Sequence, residues 1–237
     1  MFLSVVIPAY NEEKRIKKTL LQLNDYLSLQ RYDYEIIVVN DGSHDATVEV
    51  VRKLEIPNLT IMSNEKNYGK GYVVKQGLLR AKGEYRLFMD ADNSTSIKEL
   101  SNFLPYAKNY DIIIGSRNMQ GSKIINSQPL HRRILGIFYG LLARLATGLF
   151  NIKDIQCGFK LLNAKAVKDI LPLCNINGFA FDSEILVIAK KMGHTIKEVP
   201  VVWANDVQTK VRFLGMLKML LDLSRIRWNL VTGKYKS

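Results

Sequence analysis

The first 115 residues alternate short runs of β-branched and aliphatic residues with longer amphipathic stretches. The short runs predict buried strands, and the longer stretches predict helices because apolar residues recur in them with helical spacing. A repeated strand–helix–strand order predicts an α/β fold, in which right-handed crossovers place helices on a mostly parallel sheet. The predicted strands are Leu3–Ile7, Glu35–Val39, Leu59–Ser63, Tyr85–Asp90 and Asp111–Gly115. The predicted helices lie near residues 12–29, 44–54, 70–82 and 96–108.

After Gly115 the regular alternation stops, and a polar stretch, Asn118–Gln128, follows. No linker-like segment separates the two parts of the chain, so we expect a single domain over residues 1–237. The later predicted elements are a long helix near Pro129–Phe150, a loop at Asn151–Phe159, helices at Ala164–Leu171 and Ala180–Met192, a strand at Thr195–Val202 and a last helix near Phe213–Leu230.

Composition excludes several classes of protein. The 237 residues are 47% hydrophobic and 24% charged, which is globular usage and not that of a disordered, collagen-like or disulfide-stapled chain. The chain has only two cysteines, Cys157 and Cys174, and three histidines. A zinc site is therefore not expected, and a reducing compartment is the expected location. The N-terminus lacks the basic region of a signal peptide, and the longest apolar stretch, Ile134–Phe150, contains Arg144. Neither a signal peptide nor a membrane span is therefore predicted.

The net charge of +12 is unevenly distributed. Residues 1–115 hold fifteen basic and fifteen acidic residues, whereas residues 116–150 hold five basic and none acidic, and residues 207–237 hold seven basic and one acidic. Basic proteins often bind nucleic acid, but the neutral first half and the absence of a recognisable nucleic-acid motif argue against that interpretation, and no nucleic acid is expected as a partner. A neutral first half with basic late segments equally indicates a surface that faces phosphates or an anionic membrane.

Two aspartates follow the apolar run Leu87–Met89, at the end of a predicted strand. Ligands of parallel sheets bind beyond the carboxyl ends of the strands. Asp90 and Asp92 are one residue apart, so both carboxylates can reach one hard cation such as Mg²⁺ or Mn²⁺. A solvated turn is the alternative for so short a motif, but the preceding strand favours the metal site.

Two further strand-end motifs leave alternatives open. Asp41 follows another apolar strand, where it can either cap the next helix or accept hydrogen bonds from a nucleobase or ribose. The segment from Lys66 to Gly71 lacks the phosphate-binding P-loop pattern. Gly69 and Gly71, at a predicted helix N-terminus, can still approach a diphosphate closely, or they form a plain turn.

Together these motifs resemble the inverting family 2 glycosyltransferases of the GT-A fold. The resemblance rests on Pro8–Glu12, Asp41–Ser43, Asn67–Gly71 and Asp90–Asp92, in that order. Later segments are similar to those of the polyprenyl-phosphate branch, and most of all to the dolichyl-phosphate β-glucosyltransferases. These segments are Asp154–Lys160, Phe179–Glu184, Glu198–Trp203 and Arg225–Gly233. The resemblance covers nearly the whole chain.

The resemblance implies a donor site in residues 1–115 and an acceptor and membrane-facing half in residues 116–237. It implies that Asp90 and Asp92 hold Mg²⁺ or Mn²⁺, which would stabilise the departing nucleoside diphosphate. The residues implied for the nucleotide sugar are Pro8, Ala9, Tyr10, Glu12, Asp41, Lys70, Asp90, Ala91, Asp92 and Lys210.

The acceptor is expected to be a polyprenyl phosphate, dolichyl or undecaprenyl. Arg117, Arg132 and Arg133 are the expected contacts of its phosphate. A phosphate acceptor is already ionised near neutral pH, so a strong general base is less necessary than for a hydroxyl acceptor, and none is assigned. Asp154 and Asp182 are the reserve candidates for a base, but Asp154 can instead orient its own loop and Asp182 can begin the following helix.

The residues after Asp92 are closer to the glucosyl group than to the mannosyl group of relatives, which favours UDP-glucose over GDP-mannose. The expected function is therefore glucose transfer from UDP-glucose to a polyprenyl phosphate. The alternatives are a family 2 enzyme with another donor (GDP-mannose or a UDP-N-acetylhexosamine) or a saccharide acceptor, and a catalytically dead scaffold, which intact Asp90 and Asp92 disfavour.

The long helix near Pro129–Phe150 carries more apolar surface than a surface helix needs. Cations beside such helices suit an anionic lipid surface, so we expect peripheral contact with the cytoplasmic face of a membrane. Deleting residues 213–237 is then expected to weaken vesicle binding more than UDP-sugar binding. Core packing is the alternative role of the last helix.

Overall fold

The computed structural model describes residues 1–126, 129–205 and 213–235. Lys210 lies outside these residues, and so does the side chain of Arg132. The strands are β1 (Leu3–Ala9), β2 (Tyr34–Asn40), β3 (Leu59–Ser63), β4 (Tyr85–Met89), β5 (Ile112–Ser116), β6 (Lys123–Ile125), β7 (Phe159–Asn163), β8 (Ile196–Pro200) and β9 (Val202–Ala204). The helices are α1 (Ile16–Ser28), α2 (Thr47–Arg52), α3 (Lys70–Arg80), α4 (Leu100–Phe103), α5 (Leu130–Thr147), α6 (Ala164–Ile170), α7 (Phe181–Lys191) and α8 (Phe213–Val231).

Seven strands form one sheet in the order β3-β2-β1-β4-β7-β5-β8. Six of them run in the same direction, and β7 is antiparallel to both of its neighbours. The predicted α/β fold with a mostly parallel sheet is therefore confirmed. Because β1, β2 and β4 are adjacent, their carboxyl ends meet at one edge of the sheet, where the strand-end motifs are brought together.

Helices cover both faces of the sheet. On one face, α1 buries Ile16, Leu20, Leu23 and Leu27, whose spacing of three and four residues forms a single stripe. On the other face, α3 packs Val73, Val74 and Leu78 against the strands, together with α6 and α7. Gly77 lets α3 approach closely, since a Cβ there would lie 2.8 Å from the side chain of Val39. This packing fixes the position of the first turn of α3 over the sheet edge.

Strand β7 was not predicted, and it joins the two parts of the chain. The segment was expected to be a loop ending at Phe159 followed directly by a helix. Instead Phe159–Asn163 pairs with β4 on one side and β5 on the other. Lys160 interrupts the apolar run of this five-residue strand, which hid its strand character. Residues from beyond position 115 thus lie in the middle of the sheet.

The C-terminal segment is anchored in the core. The side chain of Tyr235 is buried, and its hydroxyl donates a hydrogen bond of 2.7 Å to Glu184 Oε1 on α7. The other oxygen of Glu184 accepts hydrogen bonds from the backbone N–H groups of Asn175 and Ile176. Burial raises the pKa of Glu184, although these hydrogen bonds oppose the shift. Helix α8 is therefore part of the folded body and not an appended tail.

Candidate active site

Asp90 and Asp92 lie in a tight turn directly after β4. The backbone N–H of Asp90 donates to the carbonyl of Gly158, and Asn93 adopts a left-handed φ of 55° that turns the chain. Asp92 Oδ1 accepts a hydrogen bond of 2.9 Å from the N–H of Ser94. Burial raises the pKa of Asp92, and the negative charge of Asp90 raises it further. The negative charges of the two carboxylates therefore repel each other.

Lys70 supplies a positive charge to this turn. Its Nζ lies 2.6 Å from Asp90 Oδ1, and both side chains keep about a quarter of their surface exposed. Burial would lower the pKa of Lys70, but the carboxylates of Asp90 and Asp182 outweigh it and raise that pKa. The ammonium also lies 5.4 Å from the centre of the Phe88 ring. Lys70 is thus a fully charged partner of the carboxylate pair.

Asp41 fixes the loop that carries Lys70. Its two carboxylate oxygens accept hydrogen bonds from the N–H groups of Tyr68 (2.7 Å) and Gly69 (2.9 Å), which immediately precede α3. Burial raises the pKa of Asp41 even though these two N–H groups favour its ionised form. The carboxylate therefore holds the start of α3, and not that of α2, the next helix, whose capping was one of the two alternatives for Asp41.

The glycines beside Lys70 are required by protein packing. Gly71 N–H donates to the carbonyl of Asn177, and a Cβ on Gly71 would lie 2.6 Å from the Cβ of Phe181. Gly69 has a φ of 105°, and a Cβ there would meet the backbone of Asn177. The structure thus gives these glycines a role that neither sequence interpretation named, because they let the loop before α7 touch the start of α3.

The end of β1 lies beside the end of β2, as the motifs predicted. Pro8 and Ala9 belong to β1, and the carbonyl of Ala9 accepts a hydrogen bond from the N–H of Asp41. The ring of Tyr10 faces that of His44 edge-on at 6.5 Å. Glu12 is held by Arg15 through two hydrogen bonds of 2.7 Å, which belong to one ion pair at the start of α1.

Arg117 and Asp154 form a bidentate ion pair. The Nε and Nη2 atoms of Arg117 lie 2.7 and 2.8 Å from the two carboxylate oxygens, and the Arg117 backbone N–H donates to the same carboxylate. Burial would raise the pKa of Asp154, but Arg117 outweighs it and lowers that pKa. Asp154 also accepts a hydrogen bond from the N–H of Gln156, so it orients its own loop. A carboxylate held in this way is a poor proton acceptor.

Asp182 lies in the first turn of α7 and pairs with a residue that the sequence analysis did not select. Lys160 Nζ lies 2.5 Å from Asp182 Oδ1 and 2.6 Å from the carbonyl oxygen of Cys157, and only 1% of the lysine side chain is exposed. A lysine in the middle of a buried strand is the sequence signal that could have revealed this pair, since such a charge needs a partner.

Gly158 places the backbone of the loop before β7 directly against Asp90. A Cβ on Gly158 would lie 2.5 Å from Asp90 Cγ and 2.9 Å from Oδ1, and closer still to Oδ2. The position of the Asp90 carboxylate is therefore set from one side by this backbone and from the other by Lys70. The sequence analysis did not assign Gly158 a role either.

The remaining predicted residues are placed as follows. Ala91 is buried between the two aspartates, and Arg133 is exposed on the first turn of α5. Within the described ranges, no group of three or more His, Cys, Asp or Glu side chains is arranged to hold a metal ion. None of the helices in that part of the chain is long and apolar enough to cross a membrane.

Solved structures share this fold. The glucosyl-3-phosphoglycerate synthase from Mycobacterium tuberculosis, in complex with Mn²⁺, UDP and glucosyl-3-phosphoglycerate, superposes with a TM-score of 0.68 at 18% identity, over 95% of this chain and 78% of that one. TarS of S. aureus in complex with UDP-GlcNAc superposes with a TM-score of 0.60 at 20% identity, over 88% of this chain and 60% of that one. At these identities the likeness concerns the fold alone, and it confirms the predicted GT-A fold.

Sequence relatives define the family. Residues 4–171 match the family described as Glycosyl transferase family 2. A dolichyl-phosphate β-glucosyltransferase of Trichomonas vaginalis is 37% identical, over 95% of this chain and 71% of the relative. The dolichyl-phosphate β-glucosyltransferases of Saccharomyces cerevisiae and Homo sapiens are 33% and 32% identical, over 100% and 99% of this chain and 77% of each relative. This chain is therefore an enzyme that belongs to glycosyltransferase family 2, as its motifs predicted.

Proposed function

We propose that this enzyme transfers glucose from UDP-glucose to the phosphate of a dolichyl-type lipid, with inversion at the sugar carbon. The observation that carries the proposal is the similarity, at 32–37% identity over 95% or more of the chain, to enzymes named for glucose transfer to dolichyl phosphate. In the reaction, a phosphate oxygen of the lipid forms a bond to C1 of glucose. The bond from C1 to UDP breaks, and UDP leaves with the electron pair.

The charges at the sheet edge support a nucleotide-diphosphate donor. Asp90 and Asp92 fit a divalent cation, because Mg²⁺ and Mn²⁺ commonly bind one or two carboxylates and complete their shells with substrate phosphates. Such a cation would act as a Lewis acid toward the leaving diphosphate. Burial raises the pKa of Asp92, and the negative charge of Asp90 adds to the shift; a cation beside the pair would offset that second effect. The M. tuberculosis synthase solved with Mn²⁺ and UDP has the same fold.

The ion pairs of the other carboxylates favour a reaction without a general base. Asp154 is bound by Arg117, and Asp182 is bound by Lys160, so each already has a cationic partner. A lipid phosphate is ionised near neutral pH and needs no proton removed before it attacks. We therefore assign Asp154 to the positioning of Arg117, whose guanidinium stacks 5.4 Å from the centre of the Trp203 ring and keeps 24% of the side chain exposed.

An exposed apolar surface supports a lipid acceptor. We define the apolar face as the exposed large side chains of α5 and α8, which are Leu130, Ile134, Leu135, Ile137, Phe138, Leu141, Leu145, Leu217, Leu221, Trp228 and Val231. The exposed cations Arg133, Lys218, Arg225 and Arg227 lie on the same two helices. A groove of about 430 Å³ separates the helices and is lined by Leu142, Leu220 and Trp228, among others.

We propose that the apolar face rests on the cytoplasmic surface of a membrane and that the groove takes part of the isoprenoid chain. Apolar side chains flanked by cations are typical of helices that lie in an anionic lipid interface. In this arrangement residues 1–115 bind the nucleotide sugar, with Gly158, Lys160 and Asp182 completing its site, and residues 116–237 supply the acceptor side.

A donor screen tests the proposal. Full-length enzyme is incubated with labelled UDP-glucose, GDP-mannose or UDP-N-acetylglucosamine, with dolichyl or undecaprenyl phosphate in vesicles, and with Mg²⁺ or Mn²⁺. We expect label that extracts into organic solvent from UDP-glucose only, and we expect it to be lost with EDTA and in Asp92→Ala. Label from GDP-mannose alone would refute the donor, and a product that stays in water would refute the lipid acceptor.

The proposed membrane contact is best tested with point substitutions, not with a deletion. Deleting residues 213–237 would also remove Leu223, Ile226 and Tyr235, which are buried, so the fold would be damaged as well. Ile137→Ser with Phe138→Ser changes two side chains that are 62% and 57% exposed. We expect weaker sedimentation with anionic vesicles and unchanged UDP-glucose binding. Equal vesicle binding by wild type and variant would refute the contact.

A further inference from the structure

The proposed cation site already contains a cation of the protein. Lys70 Nζ lies 2.6 Å from Asp90 Oδ1, the distance of a strong charged hydrogen bond. The charges of Asp90, Asp182 and Asp92 all act on this ammonium. Lys160, the other lysine nearby, is fully engaged by Asp182 and the carbonyl of Cys157. Lys70 is therefore the lysine that neutralises Asp90.

A metal ion and Lys70 would compete for the same oxygen. The backbone of Gly158 lies against the Oδ2 side of Asp90, where a single added carbon would collide with the carboxylate, whereas Oδ1 contacts Lys70. Asp92 has one of its oxygens occupied by the Ser94 N–H. A divalent cation held by Asp90 through Oδ1 would therefore meet the ammonium of Lys70 at that oxygen. Two cations at one carboxylate oxygen repel each other strongly in a partly buried site.

Lys70 is built to move while its backbone stays fixed. Lys70 is the first residue of α3, and the backbone N–H groups of the two residues before it donate hydrogen bonds to Asp41. The side chain is a flexible four-carbon stem, and 23% of its surface is exposed. Its ammonium can therefore leave Asp90 without disturbing the helix. A diphosphate bound beside Asp90 and Asp92 would present the anionic oxygens that the ammonium needs.

We propose that Lys70 is an internal counter-cation, which holds Asp90 before the donor binds and moves to the diphosphate of the donor when it does. Its departure frees Oδ1 of Asp90, so the metal ion enters with the nucleotide and binds only weakly before it. The proposal rests on the proposed function, since it assumes a nucleotide-diphosphate donor and a divalent cation. It makes metal binding depend on donor binding through one side chain.

Binding of Mn²⁺ to the full chain, followed by the loss of the free-ion EPR signal, tests this without any turnover. In the absence of nucleotide, we expect Lys70→Met to bind Mn²⁺ about tenfold or more tightly than wild type, because the competing charge is gone. Lys70→Arg keeps the charge and should bind as weakly as wild type. Lys75→Met is the matched control, because it removes one lysine of the same helix whose Nζ contacts the carbonyl of Cys174 instead.

Addition of UDP gives the second measurement. UDP should tighten Mn²⁺ binding strongly in wild type and much less in Lys70→Met, since the variant has no ammonium to displace. Unchanged or weaker Mn²⁺ binding by Lys70→Met without nucleotide would overturn the proposal, provided that its thermal melting matches wild type. Equal tightening by UDP in both proteins would overturn it too. A donor screen without product would refute the proposed function and leave these binding curves interpretable.

Discussion

Gly158→Ala is expected to disable the enzyme while leaving it folded. The added Cβ would lie 2.5 Å from Asp90 Cγ, whereas ordinary van der Waals contact begins at 3.4 Å. The Asp90 side chain must therefore move by at least about 0.9 Å, the difference between these two distances, and by more at Oδ2, if the backbone stays in place. The backbone is restrained because the Gly158 carbonyl accepts a hydrogen bond from the N–H of Asp90 and the next residue begins β7.

The two consequences of this shift differ in size. Forcing the Asp90 side chain off its preferred rotamer costs about 0.5–1.5 kcal/mol. In a chain of this length, each 1 kcal/mol lowers the melting temperature by roughly 2–4 °C. A displacement of about 1 Å in a reacting group, by contrast, can reduce the rate about 100-fold. We therefore expect kcat/KM for glucosyl transfer to fall about 100-fold while the protein melts only a few degrees lower.

The assay combines initial rates with UDP-glucose and dolichyl phosphate with thermal melting of the same preparations. Gly140→Ala is the matched control, because Gly140 lies within α5 and a Cβ there would have nothing within 4 Å. Alanine is favoured over glycine inside a helix by about 0.8–1.0 kcal/mol, so this control should be active and slightly more stable. Wild-type activity in Gly158→Ala would show that Asp90 is not held where its contacts indicate, and loss of the fold would show that strain, not positioning, dominates.

Two further changes test the ion pairs and hydrogen bonds around the sheet. Lys160→Met leaves Asp182 buried without its partner and should lower the free energy of unfolding, measured in urea, by about 3–5 kcal/mol. The double variant with Asp182→Leu should recover most of this loss. A Lys160→Met protein as stable as wild type would contradict the pairing. Burial would raise the pKa of Asp111, but hydrogen bonds from Thr195 and Asn163 outweigh it and lower that pKa to about 2. The resulting stabilisation is complete above the ordinary pKa of 3.8 and is lost as the pH falls toward 2. Asp111→Asn should therefore reduce the free energy of unfolding at pH 6 and reduce it progressively less below about pH 4. A difference between the two proteins that does not change with pH would contradict this.

Sequence alone predicted the parallel strands of the sheet and the edge at which the strand-end motifs meet. The alternation of strands and helices in the first 115 residues predicted the parallel strands, and the ends of β1, β2 and β4 bring together the motifs that carry Tyr10, Asp41 and Asp90. This works because a parallel strand buried on both faces is a short apolar run, and its polar end is easy to recognise.

The contacts that the site residues make with one another could not be predicted from the sequence. Nothing in the local pattern indicates that Asp41 binds the N–H groups before α3, or that Lys70 reaches Asp90, because these contacts join segments far apart in the chain. Strand β7 was not predicted because a charged residue such as Lys160 is typical of a loop, and its buried partner Asp182 is visible only in the structure. Contacts between distant segments therefore determine the charges around the site, and local sequence patterns do not predict such contacts.

The antiparallel strand β7 also constrains how the enzyme can be made. Strand β5 leaves the ribosome before β7, yet β7 lies between β4 and β5. A nascent chain that ends before Phe159 has the open edges of β4 and β5 and nothing to join them, and unpaired strand edges promote aggregation. Synthesis of the first half alone should therefore yield an aggregation-prone fragment, and a stall in translation before Phe159 should engage chaperones more than a stall after Asn163.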